Sequence, residues 1–150
     1  MPTAVAAKAA GEVGFESPAE FREVLGRLLE EVDADERIGP LVRAAHVRTR
    51  FLFSDLGLTL DLASAAGQTH YVEWRFGRAK WEPKVTLSMD SGVANRWLQG
   101  RESLAVAIAR GRVRCVGEAK STLFFLPLGK LLADPYRKLI AADYRHLELD

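Results

Sequence analysis

The sequence predicts an α+β domain, with one five-stranded, largely antiparallel sheet and helices covering one of its faces. Three observations carry this reading. Apolar residues recur at helical spacing after Ser17, the period changes to two between Ala45 and Met89, and helical signals return beyond Asp90 with room for one further strand. With 150 residues, 48% of them hydrophobic, the chain suits a single domain that buries a sizeable core.

Ser17-Pro18-Ala19-Glu20 is a helix start: Ser as N-cap, Pro at the first helical position and Glu three residues after the cap. Phe21, Val24, Leu25, Leu28 and Leu29 repeat on one side to about Val32, and DADERIGP, with Gly39-Pro40 as punctuation, ends the helix. Residues 1 to about 16, rich in Ala and Gly and interrupted by Lys8 and Glu12, read as a mobile tail rather than a signal peptide. The domain is then 17–150.

In the next stretch Val47, Thr49, Phe51 and Phe53 share a face against His46, Arg48 and Arg50. After Ser54-Asp55, Leu56, Leu58, Leu60 and Leu62 alternate with Gly57, Thr59 and Asp61. Val72, Trp74 and Phe76 form a third apolar row, and Val85, Leu87 and Met89 a fourth. Strands are expected near 45–53, 56–63, 69–76 and 84–89, and four in succession point to an antiparallel meander.

Asp90-Ser91-Gly92 opens a helix carrying Val93, Trp97 and Leu98 that stops at Gly100. Ser103 caps a short helix from Leu104 to Arg110, Gly111 ends it, and a fifth strand follows near 112–116. The remainder is expected to be helical in pieces, broken near Pro127 and at Asp134-Pro135. Its most apolar part, Leu123 to Leu132, is far shorter than a membrane span and reads as a movable lid.

The polar inventory assembles no catalytic site. A net charge of +1 with interleaved acids and bases argues against a nucleic-acid binder. Cys115, the only cysteine, excludes an intramolecular disulfide framework and fits a reducing, cytoplasmic setting. His46, His70 and His146 are scattered with no metal-binding spacing, and no nucleophile elbow, phosphate loop or dinucleotide fingerprint is present. No metal, cofactor or catalytic residue is therefore expected. Ser91-Gly92 reads as a helix cap in preference to an anion site, and Cys115, on the face of Val113, as a buried apolar side chain. Arg110, Arg112, Arg114 and Lys120 read as charges guarding a strand edge, with transient attraction to an anionic membrane surface as the functional alternative.

The run VTLSMDS, VANRWLQG, LAVAIARG, GRVRCVGE, over Val85 to Lys120, resembles the sterol carrier protein type 2 (SCP2) family of lipid-binding domains. Gly111-Arg112 stands where that family has Gly-Lys, and Gly117-Glu118 where it has Gly-Asp. The resemblance implies a non-catalytic carrier whose sheet and helices enclose an apolar cavity for a fatty acyl, sterol-like or other apolar molecule. It implies a lining drawn from Phe51, Phe53, Leu58, Leu60, Trp74, Val85, Leu87 and Trp97, and from Leu104, Ala107, Ile108, Val113, Cys115, Phe124, Phe125 and Leu128. It also implies burial of the short helix LAVAIA between sheet and cavity. Periodicity alone cannot separate a lined cavity from a filled core. The terminal ELD is not a peroxisomal Ser-Lys-Leu signal. Two rivals stand beside the carrier: a cavity-free interaction domain, with a homodimer as one form, and a small isomerase or cyclase using Asp61 and a histidine.

Overall fold

Ser17 opens the first helix through its own side chain: its Oγ accepts from the Glu20 N–H at 3.1 Å, and Pro18 takes the first turn, where a missing N–H costs nothing. The computed structural model describes residues 13–149, in which helix α1 spans Pro18–Ala34. The expected tail lies mostly outside the described residues. Phe15 is described and is buried, its ring 4.7 Å from that of Phe21, so ordered packing begins before residue 17.

Gly39-Pro40 does not simply end a helix; it begins another. Helix α2, Gly39–Ala44, carries Pro in its first turn and buries Val42. The punctuation was visible in the sequence, but six residues offer too few apolar positions to show a period.

The five strands are β1 Arg48–Phe53, β2 Leu58–Ser64, β3 Val72–Phe76, β4 Val85–Met89 and β5 Arg114–Gly117. They are ordered β3-β2-β1-β4-β5, so the first four strands are not a simple meander. β1 pairs β2 antiparallel with Arg50 opposite Asp61, and β2 pairs β3 antiparallel. β4 crosses over to pair β1 in parallel, with Phe51 opposite Leu87, and β5 pairs β4 antiparallel. The sheet is mixed but largely antiparallel. An alternating pattern fixes which face a residue occupies and says nothing about which strand lies beside it. The crossover segment passes over the outer face, where the Ala79 N–H donates to Asp61 Oδ2 at 2.6 Å.

Helix α3, Ser91–Leu98, is capped from a distance: Asp55 accepts from the Ser91 N–H at 2.9 Å and from its Oγ at 2.6 Å. A carboxylate of the β1–β2 turn thus occupies the anion-favouring helix terminus. Helix α4, Leu104–Ala109, starts at Ser103, whose Oγ accepts from the Val106 N–H, and gives way to Gly111 at φ +76°. It is not buried between sheet and cavity. Leu104 and Ala107 are buried, but Ala105, Val106 and Ala109 are exposed.

From Ala119 to Asp143 the chain forms one continuous 25-residue helix, α5, which contains both Pro127 and Pro135. The expected breaks do not occur. Each proline withholds the N–H that would bond four residues back, at Leu123 and Leu131, and both leucines are exposed. The interruptions therefore lie on the solvent side, where a long helix tolerates weakened bonds by curving. Its other side buries Phe125, Leu128, Leu132, Tyr136 and Ile140. Segment 123–132 is accordingly a wall of the core and not a separate lid. Among the described residues no helix is long and apolar enough to cross a membrane.

Candidate functional site

The apolar face of the sheet carries Phe51 and Phe53 on β1, Leu60 and Leu62 on β2, Val72 on β3 and Met89 on β4, all buried. Alternation puts them in one layer, and three helices roof that layer. α1 contributes Leu25, Leu28, Leu29 and Val32; α3 contributes Ala94, Trp97 and Leu98; α5 contributes Phe124, Phe125, Leu128 and Leu132. With Val42 of α2 these eighteen apolar residues enclose a cavity of about 60 Å³.

Aromatic edges shape the cavity. Phe51 and Phe53 stack at 6.1 Å, and Phe125 meets Phe51, Phe124 and Trp97 edge-on at 5.6, 5.3 and 6.4 Å. Gly129 of α5 sits against the Trp97 indole so closely that a Cβ there would lie 2.6 Å from Nε1.

Of the residues implied by the resemblance, Phe51, Phe53, Leu60, Trp97, Phe124, Phe125 and Leu128 line this cavity. Val85, Leu87, Leu104, Ala107 and Val113 are buried core residues outside its lining. Leu58, Trp74 and Ile108 are half-buried on the margin of the core. Cys115 is half-buried too, with its Sγ 2.9 Å from Thr122 Oγ1. Sequence reasoning missed the whole α1 contribution, together with Val42, Leu62, Val72, Met89, Ala94, Leu98 and Leu132. Helical spacing marked the α1 residues and Leu98, and alternation marked Leu62, Val72 and Met89, as apolar-face positions, but nothing in the pattern marked Val42, Ala94 or the empty volume.

Asp61 lies on the opposite face of the sheet, 1% exposed, and is closed off from the cavity. Arg50 grips it with Nε and Nη2, both at 2.8 Å, and the Ala79 N–H completes its shell. The hydrogen bond to Asp61 holds the Arg50 guanidinium above its ordinary pKa. Among the described residues no hydrogen bond or ion pair joins Asp61 to a histidine. His70 pairs with Asp33 at 2.5 Å, His146 with Glu20 at 2.9 Å, and His46 is exposed. The basic strand edge is partly neutralised, because Arg112 grips Glu102 and holds that carboxyl below its usual range.

A buried polar network flanks the α3–α5 side. Tyr136 Oη donates to Asn95 Oδ1 at 2.8 Å, Asn95 Nδ2 to the Leu147 carbonyl at 3.1 Å, and Gln99 Nε2 to both acceptors. It pins the C-terminal turn, Arg145–Leu147, to α3 and α5.

No protein-family model and no curated protein matches the sequence. Solved structures do match by shape. A UbiJ-SCP2 ubiquinone synthesis protein superposes with a TM-score of 0.58 at 15% identity, over 81% of this chain and 96% of its own. Sterol carrier protein domain 2 of Helicoverpa armigera gives 0.57 at 14% identity, over 83% and 96%. The sec-alkylsulfatase Pisa1 from Pseudomonas sp. gives 0.51 at 19% identity over 60% of this chain, and the chain spans only 14% of the length of that enzyme. The order β3-β2-β1-β4-β5, roofed by α1, α3 and α5, together with near-complete coverage of two SCP2 domains, establishes that the chain has the SCP2 fold.

Proposed function

We propose that this protein is a non-catalytic binding or carrier protein that holds an apolar ligand, of acyl-chain or sterol-like character, in the cavity between the sheet and α1, α3 and α5. The observation that carries the reading is the lining: eighteen residues from seven elements and α2 converge on one volume, and none is polar. The shared fold with a sterol carrier protein domain supports it.

The cavity of about 60 Å³ is smaller than the roughly 300–1,000 Å³ of ordinary ligand sites, so binding entails outward movement of wall side chains. Phe124, half-buried at the start of α5, is the wall residue with room to swing. Pro127 leaves the turn around it short of a backbone bond, which lowers the cost of a small shift. Each methylene taken from water contributes about 0.8 kcal/mol, and a ligand drawn from a bilayer gains little, so exchange is ready and specificity for the apolar part is loose.

Solvent extraction of natively purified protein, followed by mass spectrometry, tests this. Stoichiometric recovery of an apolar molecule is the expected result. Recovery of none, with no uptake of added acyl chains or sterols, favours an interaction domain with a filled core.

A further inference from the structure

On the same face of β1, two residues before Phe51, stands Thr49. It is 1% exposed, and its Oγ1 has no hydrogen-bond partner. A buried hydroxyl left unpaired is costly, and such groups in a native structure call for an explanation. Thr49 faces a separate groove of about 340 Å³ whose walls include Lys84, Lys120, Ser121 and Phe124. Phe124 also lines the apolar cavity, so one side chain divides a polar vestibule from the apolar interior.

The vestibule is basic. Lys84 Nζ donates to the His46 carbonyl at 2.8 Å, which leaves ammonium hydrogens for another acceptor. Among the described residues neither Lys84 nor Lys120 has an ion-pair partner. Glu118 sits beside the groove and accepts from Ser121 Oγ at 3.0 Å. Beyond Lys84 the surface continues into a second groove with Arg43, His46 and Arg48 and no carboxylate in its lining. His46 itself holds φ +50°, which turns its carbonyl to the lysine at the mouth.

We infer that the vestibule formed by Thr49, Lys84, Lys120 and Ser121 receives the anionic, carboxylate- or phosphate-type head of a single-chain amphiphile whose tail passes Phe124 into the apolar cavity. This rests on the cavity reading and narrows its ligand class. The head accepts charge-assisted hydrogen bonds from the two ammonium groups and one from Thr49 Oγ1. The tail then runs along β1 over Phe51 and Phe53, about 13 Å from Thr49 at roughly 3.3 Å per residue. A neutral alcohol of equal length fills the cavity and can pair with Thr49, but it forgoes the charge-assisted bonds to the two ammonium groups.

The test titrates a long-chain carboxylate, the alcohol of the same chain length, and inorganic phosphate, with Trp97 emission read in a Trp74→Phe/Trp81→Phe background. The carboxylate is expected to bind about tenfold more tightly than the alcohol, a difference of about 1.4 kcal/mol. Lys84→Gln/Lys120→Gln should abolish that preference while leaving alcohol affinity unchanged, and Thr49→Val should weaken the carboxylate more than the alcohol. Millimolar phosphate should neither shift Trp97 nor displace the carboxylate. Equal wild-type affinities for carboxylate and alcohol, or a preference that survives the double lysine variant, overturn the vestibule while leaving the cavity intact. Displacement by phosphate makes the groove a free-anion site and also overturns it. Binding of neither amphiphile defeats the cavity reading itself.

Discussion

The indole of Trp97 in α3 comes so close to Gly129 of α5 that a Cβ at that position would stand 2.6 Å from its Nε1 and 3.2 Å from its Cδ1. The glycine is a poor helix former by about 1 kcal/mol relative to alanine, yet it sits in the middle of a 25-residue helix. Close approach of the indole offsets that deficit. Gly129→Ala should push Trp97 toward the cavity, lower ligand affinity several-fold and lower stability despite the better helix propensity. Thermal unfolding and acyl-chain titration check both, and a more stable variant with unchanged affinity contradicts the packing.

Phe124 and Phe125 are neighbours with opposite expected responses. Phe125 is 1% exposed, wedged between Phe51 and Trp97, so Phe125→Asp buries a charge and should cost ~4 kcal/mol or more, abolishing cooperative unfolding near room temperature. Phe124 is half-buried at the mouth. Phe124→Ala should cost about 1.5 kcal/mol, below the 3–5 typical of a fully buried phenylalanine, and should speed ligand dissociation. Denaturant titration and stopped-flow release separate the two roles.

Tyr136 is fully buried, and burial holds its hydroxyl well above the ordinary tyrosine pKa, so it acts as a neutral donor to Asn95. Tyr136→Phe should cost about 1 kcal/mol and about 2–4 °C in Tm, since Asn95 Oδ1 keeps the Gln99 donor. The C-terminal turn should also gain amide exchange.

Asp33 joins α1 to the start of β3. Burial raises its pKa, but hydrogen bonds from His70 and from the Tyr71 and Val72 N–H groups outweigh this and leave it below the ordinary value. A carboxyl depressed in the folded state adds stability above its unfolded pKa of about 3.9 and loses it as pH falls through the lower folded value. Stability should therefore fall with acid in that window, and Asp33→Asn should flatten that part of the profile. An unchanged profile in the variant contradicts the assignment.

Much of the fold was legible because alternation and helical spacing are local. The apolar rows of Thr49 to Phe53 and Val85 to Met89, and the capping box at Ser17, needed only neighbouring residues to be read. What failed was non-local. The parallel pairing of β4 with β1 depends on a crossover that no period encodes. Asp61 reads only as a strand position opposite the leucines, and its burial under Arg50 and Ala79 comes from partners distant in sequence. The continuity of α5 depends on which side of the helix its prolines occupy, which its packing partners decide. The cavity is least legible of all, since Leu87 and Phe53 have the same signature in sequence and only Phe53 borders empty space.

The most direct test of the central claim is a calorimetric titration of the delipidated protein with a long-chain amphiphile at several temperatures. Burial of the chain in the interior predicts saturable binding of one molecule per protein with a negative heat-capacity change, weakened several-fold in Gly129→Ala. Unsaturable uptake, or binding without a heat-capacity change, would place the amphiphile on the surface and contradict an internal lipid site.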